Sequence, residues 1–225
     1  MLSNKSEDGD YKTMSQYYPI FMDLKAQPVL VVGGGVVALR KVQTLMHHGA
    51  LVHIVSPRLV PGLKELIDEK TCFWLEKDYS TEDIQEAILV FSCTEKEEVN
   101  AQVADDANAH HRPVNVVDDP EKCSFIVPSI MERGDLKIAV STGGSSPIVA
   151  RQVRAELQSL YGQEMAEYLT LLKTWRSLAK RSLPSEKRSI FWHRATDGEV
   201  RELIKAQRLT EAEGVIEECF QSLLD

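Results

Sequence analysis

The sequence predicts an α/β fold built on a parallel sheet, and three observations carry that prediction. Short apolar, β-branched runs alternate with segments of helical spacing through the first half of the chain. The first run is joined to the first helical segment by three consecutive glycines, Gly33-Gly34-Gly35. Beyond about residue 145 the strand-like runs stop and helical periodicity takes over.

Residues 28–32 (PVLVV) are short, β-branched and ended by the glycines, the pattern of a strand buried on both faces. Leu39, Val42, Leu45 and Met46 then fall three or four apart over 36–48, and Gly49 stands where helices usually end. Residues 51–55 (LVHIV) supply the next strand, so 28–55 make one βαβ unit of the usual ~30 residues. A right-handed crossover makes its strands parallel. The alternation continues with a helix at 61–70, a strand at 72–76 and a short helix opened by Ser80 with Asp83 three residues on. A strand at 88–92, a helix at 97–110 and a strand at 114–117 complete it. Repetition of this unit predicts a Rossmann-like, doubly wound sheet.

After Pro120 the pattern changes. Residues 124–130 and 136–140 read as two strands joined by Glu132-Arg133-Gly134-Asp135, a hairpin in which Pro128 marks an edge or bulge. Ser145-Ser146-Pro147 supplies a cap and a first-turn proline, and Val149, Val153, Leu157 and Leu160 follow at helical intervals. Further helices are expected at 163–182, 185–193, 197–207 and 211–224, the last opened by Thr210 with Glu213 in capping-box spacing. Leu183-Pro184-Ser185 breaks the run.

Composition narrows the function. The chain has 225 residues, 43% hydrophobic and 27% charged, enough for one substantial core and a smaller satellite. A net charge of −8 repels polyanions, so nucleic-acid binding is not expected and an anionic ligand needs a local basic pocket. Cys72, Cys93, Cys123 and Cys219 contain no close pair, which supports neither zinc, nor a redox pair, nor a disulfide framework. No apolar run reaches the ~18 residues of a membrane span, and the first residues, MLSNKSEDGDYKT, are polar. A soluble cytoplasmic protein with a disordered tail at 1–13 is expected. His47-His48 and His110-His111 lie near predicted helix ends, where the helix dipole favours histidine, and no metal site is expected.

Gly33-Gly34-Gly35-Val36-Val37-Ala38 fits G-x-G-x-x-G/A between a strand and a helix. In that setting Gly33 permits the tight turn, Gly35 lets backbone N–H groups approach a pyrophosphate, and Ala38 permits close helix packing. Gly33, Gly34, Gly35, Val36 and Val37 are therefore the expected dinucleotide contacts. An acidic ribose ligand about 20 residues on is absent, and the chain reads His53-Ile54-Val55-Ser56-Pro57-Arg58 there. Ser56 can bond a ribose hydroxyl and Arg58 can meet a 2′-phosphate, so NAD and NADP both stay open.

Asn115-Val116-Val117-Asp118-Asp119-Pro120 ends just past a strand of the sheet, where ligands of such folds bind. The two acids read either as a carboxylate presented for proton transfer or as a turn before proline. Ser141-Thr142-Gly143-Gly144-Ser145-Ser146-Pro147, between a strand and a helix, forms a candidate nest for carboxylate or phosphate or simply a capped helix start.

Three stretches together resemble one family, the precorrin-2 dehydrogenases of the siroheme-synthase N-terminal type, some of which are also sirohydrochlorin ferrochelatases. They are Tyr18-Pro19-Ile20-Phe21 with Val31-Val32 and the glycine loop through Lys41; Asn115-Val116-Val117-Asp118; and Ser124 through Ile130 with Ala139 through Pro147. The resemblance implies NAD-dependent oxidation of precorrin-2 to sirohydrochlorin in a homodimer, with Asp118 as the catalytic base. It implies NAD contacts on the glycine loop and at Cys93-Thr94, and substrate contacts at Thr142, Gly143, Gly144 and Ser145, Thr142 standing where some members carry serine. The expected division is then an NAD-binding domain at 14–119, a hairpin-and-loop dimerisation segment at 120–147 and a helical domain at 148–225. Oxidising a reduced tetrapyrrole needs a hydride acceptor, a base and a wide pocket, and Arg133, Lys137, Arg151 and Arg154 are candidate partners for the substrate's carboxylates. A second, ferrochelatase activity and a dinucleotide sensor without turnover are the alternatives.

Overall fold

Strand ends set the architecture. In a computed structural model, which describes residues 17–224 except Glu69 and Gln85, five parallel strands form one sheet in the order β3-β2-β1-β4-β5. The tail expected at 1–13 lies outside the described residues. The chain divides into two compact units, through Val127 and from Pro128.

In the first unit β1 (Pro28–Val32), β2 (Leu51–Val55), β3 (Cys72–Leu75), β4 (Leu89–Ser92) and β5 (Val114–Val116) alternate with α1 (Val36–His47), the single-turn α2 (Pro61–Lys64) and α3 (Glu97–Ala109). Every pairing is parallel, and Val32 stands beside both Val55 and Ser92, so the strand ends are level where the loops leave them. Because side chains alternate along a strand, each face has its own core. Val29, Val31, Val52 and Ile54 pack with Ala38, Val42 and Leu45 of α1. Leu30, Val32, Val55 and Val90 pack on the other face with Ile84 and with Val103 and Ala107 of α3.

The expected helix at 61–70 stops after one turn. The Asp68 carboxylate accepts hydrogen bonds from the Lys70 and Thr71 N–H groups and the Thr71 hydroxyl at 2.5–2.6 Å, a local arrangement that competes with helix. These bonds hold its carboxyl down at about 2.

The strand expected at 124–130 is also displaced: β6 is Ser129–Arg133. Residues 123 and 124 instead close the outer edge of β5 with side chains. Ser124 takes the Val114 N–H on its hydroxyl (2.7 Å) and gives its own N–H to the Val114 carbonyl (2.9 Å). The Cys123 thiol lies 3.2 Å from both the N–H and the carbonyl of Val116. The stretch 120–127 accordingly belongs with the sheet, and the boundary falls eight residues later than the break expected at Pro120.

The second unit pairs β6 with β7 (Leu136–Val140) antiparallel, turning at Gly134 with φ +57°. Five helices follow: α4 (Pro147–Leu160), α5 (Glu164–Ser182), α6 (Ser185–Ala195), α7 (Gly198–Lys205) and α8 (Leu209–Gln221). Ser146 caps α4 through the Val149 N–H, with Pro147 in the first turn as expected. The row that sets its period is not a core row, since Val149, Val153 and Leu160 are exposed. The capping box at Thr210 and Glu213 does not form. Because α8 starts at Leu209, Thr210 already sits inside the first turn, and the Arg208 guanidinium pairs with the Glu211 carboxylate instead. No helix among the described residues is long and apolar enough to cross a membrane.

Aromatic contacts centre the helical core, where Phe191 is fully buried with Phe220 at 5.7 Å and Trp192 at 4.9 Å between ring centroids. Phe191→Ala is expected to destabilise this unit by about 3–5 kcal/mol. Urea denaturation followed by tryptophan fluorescence, which Trp175 and Trp192 report from the same cluster, measures the loss.

Candidate functional site

A cavity of about 860 Å³ opens at the carboxyl ends of the parallel strands, lined by the glycine loop after β1, Ser56 to Val60 after β2, Asp78 and Tyr79 after β3, Cys93 to Lys96 after β4, and Val117 and Asp118 after β5. The chain winds outward from β1 to β3 and then returns to place β4 on the other side of β1. Loops diverge at such a switch point, which is where open α/β sheets bind ligands.

The three glycines have three separate reasons. Gly33 has φ +119°, and a Cβ there would lie 2.5 Å from the Cys93 carbonyl oxygen, so the loop sits directly against the end of β4. At Gly34 a Cβ would fall 1.9 Å from the Arg58 carbonyl oxygen and 2.8 Å from Ser56 Oγ. The Val60 N–H donates to the Gly34 carbonyl at 2.9 Å, fastening the β2 loop to the β1 loop. Gly35 is different: nothing lies within 4 Å of where its Cβ would be. It is the N-cap of α1, with no side-chain cap and no acidic residue in the first turn. That leaves a helix N-terminus with free backbone donors beside open space, a cradle suited to a pyrophosphate. Val36 and Val37 follow on the same wall, both exposed.

Ser56 lines the cavity, but its hydroxyl donates inward to the Arg58 carbonyl at 2.8 Å. Its oxygen lone pairs are what remain for a ribose hydroxyl, and Arg58 beside it is exposed. On the β4 side, Thr94 is held by a network that the sequence reading missed. The Ser92 hydroxyl donates to Asn100 Oδ1 at 2.7 Å, and Asn100 Nδ2 donates to the Thr94 carbonyl at 3.0 Å. Asn100 is eight residues from Ser92, and only the return of α3 against β4 brings the two together. Burial pushes the Cys93 thiol up to about 11, so it is protonated at neutral pH. Lys96 reaches Asp78 at 3.4 Å, both side chains well exposed at the cavity rim.

The two aspartates separate cleanly. Residues 117 and 118 form a turn, with the Asp119 N–H 3.4 Å from the Val116 carbonyl. Asp118 occupies the left-handed region at φ +61° and lines the cavity, exposed. Asp119 is paired with Lys122, which holds its carboxyl below the usual range. The segment thus forms the turn before Pro120, with Asp118 on the cavity wall.

Thr142, Gly143, Gly144 and Ser145 belong to the second unit. The Thr142 hydroxyl donates to the Ser146 carbonyl and accepts from its N–H, both at 3.0 Å, so it organises the loop. The Ser141 hydroxyl accepts from the Gly143 N–H at 3.0 Å. Gly143 and Gly144 have φ +61° and +90°, and the space around Gly144 is open. Ser145 is exposed. Of the expected basic residues, Arg133 donates to the carbonyls of Tyr161 and Glu132, and Lys137 pairs with Glu132 at 3.0 Å; Arg151 is exposed. Among the described residues no group of three or more His, Cys, Asp or Glu could hold a metal ion.

The sheet, its switch-point cavity and the uncapped glycine loop define an NAD(P)-binding α/β protein, and a family model for NAD(P)-binding matches residues 20–129. The models for the sirohaem biosynthesis protein central region and the sirohaem synthase dimerisation region follow at 133–160 and 166–220. The chain belongs to the sirohaem synthase family, N-terminal type. It is 40% identical over 183 residues to siroheme synthase of Zymomonas mobilis, covering 81% of this chain and 39% of that protein. It is 40% identical over 205 residues to siroheme synthase 1 of Pectobacterium atrosepticum, covering 90% and 42%. The chain thus spans about two fifths of these curated relatives. Among solved structures it resembles SirC, a precorrin-2 dehydrogenase, with TM-score 0.77 and 26% identity over 90% of this chain and all of that one. The dimerisation model falls on α5–α8.

The glycines make a paired prediction. Gly34→Ala is expected to destabilise the first unit, since backbone oxygen occupies the added carbon's place. Gly35→Asp is expected to fold and to lose NAD binding through blocking and like charge. Calorimetric titration with NAD and a thermal melt of each variant distinguish the two outcomes.

Proposed function

We propose that this chain is an NAD-dependent dehydrogenase that oxidises precorrin-2 to sirohydrochlorin, working as a homodimer with Asp118 as general base. The observation that carries the reading is that Asp118 and the glycine loop line one cavity. The family and the likeness to SirC support the substrate, and the dimerisation model supports the assembly.

The residues fit a dinucleotide. The open space at Gly35 and the free donors of α1 suit the pyrophosphate, and Ser56 and Thr94 stand on either side of it at the ends of β2 and β4. Bound there, NAD would supply the hydride acceptor. The protein's own work is to hold a carboxylate where the accompanying proton leaves. Asp118 does this from a turn, exposed and, among the described residues, without an ion pair like the one Asp119 makes with Lys122. Asp119, tied to Lys122, serves the turn. Gly143, Gly144 and Ser145 are proposed as substrate contacts, with Thr142 supporting their loop from within.

Asp118→Asn is expected to lower turnover by about 10² or more with NAD affinity kept, because the amide preserves shape but cannot take the proton. Asp119→Asn is expected to do much less. NADH formation with precorrin-2 tests the reading directly. A sensor would bind NAD and give none, and normal turnover in the Asp118 variant would remove the base assignment.

NAD is expected to be preferred over NADP, with kcat/KM for each as the measurement; a tenfold preference for NADP, about 1.4 kcal/mol, would reverse it. Chelation is expected to be weak, and supplying sirohydrochlorin with Fe²⁺ against an enzyme-free control measures it.

A further inference from the structure

Asp118 sits in a backbone conformation that residues other than glycine adopt at a cost, even though aspartate tolerates it better than most. The turn's own hydrogen bond, from the Asp119 N–H to the Val116 carbonyl, is long at 3.4 Å. Something else must keep the turn closed.

The Val117 N–H on the Ser92 carbonyl (3.0 Å) and the Lys122–Asp119 pair brace it from outside, and the contacts that join its two ends converge on one sulfur. The Val116 N–H points at Cys123 Sγ at 3.2 Å, and the thiol in turn lies 3.2 Å from the carbonyl oxygens of both Val116 and Asp119. Asn115 Nδ2 adds a weaker contact at 3.5 Å. Val116 and Asp119 are the first and last residues of the turn that carries Asp118. A single S–H can be shared between the two carbonyls while the sulfur lone pairs accept the N–H, so one atom spans the turn from end to end. The 3-10 turn Pro120–Lys122 brings the cysteine back into place, with the Cys123 N–H on the Pro120 carbonyl at 3.2 Å. Burial raises the thiol's pKa, which keeps the donating hydrogen on sulfur.

We propose that Cys123 is a positioning residue for the dehydrogenation, its thiol clasping both ends of the turn so that Asp118 is presented to the cavity. This rests on the reading of Asp118 as the base. Cys123 is not among the residues that line the cavity and, on this assignment, meets no reacting atom; it acts through the turn.

The test compares Cys123→Ala, Cys123→Ser and Asp118→Asn in the full chain, measuring kcat with precorrin-2 and NAD affinity by calorimetry. Cys123→Ala is expected to lose about tenfold or more in kcat with NAD affinity changed by less than about twofold. Cys123→Ser, which keeps a donor and an acceptor, is expected to recover most of the turnover. Wild-type kcat in Cys123→Ala beside a slow Asp118→Asn overturns the positioning role alone, and so does a serine variant as slow as the alanine one. Normal turnover in Asp118→Asn strikes the base assignment instead. Should Cys123→Ala fail to fold, methylthiolation of the wild type and of Cys123→Ser decides the matter, because the other three cysteines are common to both. Loss of turnover with NAD binding retained, in the wild type alone, is the expected result; an equal response in both overturns the proposal.

Discussion

No atom larger than hydrogen fits on Gly34, and the rest of the site depends on that. With the Arg58 carbonyl 1.9 Å from where a Cβ would stand, the loops after β1 and β2 are in backbone contact, fastened by the bond from Val60 to Gly34. Gly33 does the same toward β4. Beside that close packing, the start of α1 at Gly35 faces open space on the cavity wall. The anion cradle at Gly35 is thus a product of crowding next to it. This also reconciles a chain of net charge −8 with an anionic ligand, since the favourable field comes from aligned peptide groups over a few ångströms rather than from surplus lysine and arginine.

A second economy runs through the β5 segment. Within ten residues, Val114 to Cys123, the chain supplies an edge strand, a turn, an exposed carboxylate and the thiol that holds the turn. Asp118 and Asp119 share a residue type and have opposite environments, and the difference is made by Lys122 three residues on, which takes one and leaves the other. On a regular strand adjacent side chains face opposite sides; the turn achieves the same separation after the strand has ended.

Much of this could be read from the sequence because the signals are local. Hydrophobic runs, a glycine triplet and Pro147 each act on their own neighbours, and β1, α1, β2 and α4 stand where those signals put them. What could not be read depends on distance along the chain. Nothing near Gly34 announces Arg58, and nothing near Thr94 marks Asn100 as its support. The run at 124–130 has the composition of a strand, yet Ser124 and Cys123 spend their side chains on β5, and pairing begins only at Ser129. Thr142 shows the same limit, since its hydroxyl matches the motif but is turned inward to Ser146. Composition records what a side chain can do, and tertiary contact decides which of those options is used.

The side-chain closure of β5 reaches beyond the site. An outer strand with bare N–H and C=O groups is a template on which another extended segment can add. Here each outward group of Val114 and Val116 already has a partner from residues 123 and 124. The sheet therefore cannot grow past β5 by recruiting a strand from a neighbouring molecule, and a newly made chain emerging beside finished copies finds no adhesive border on that flank.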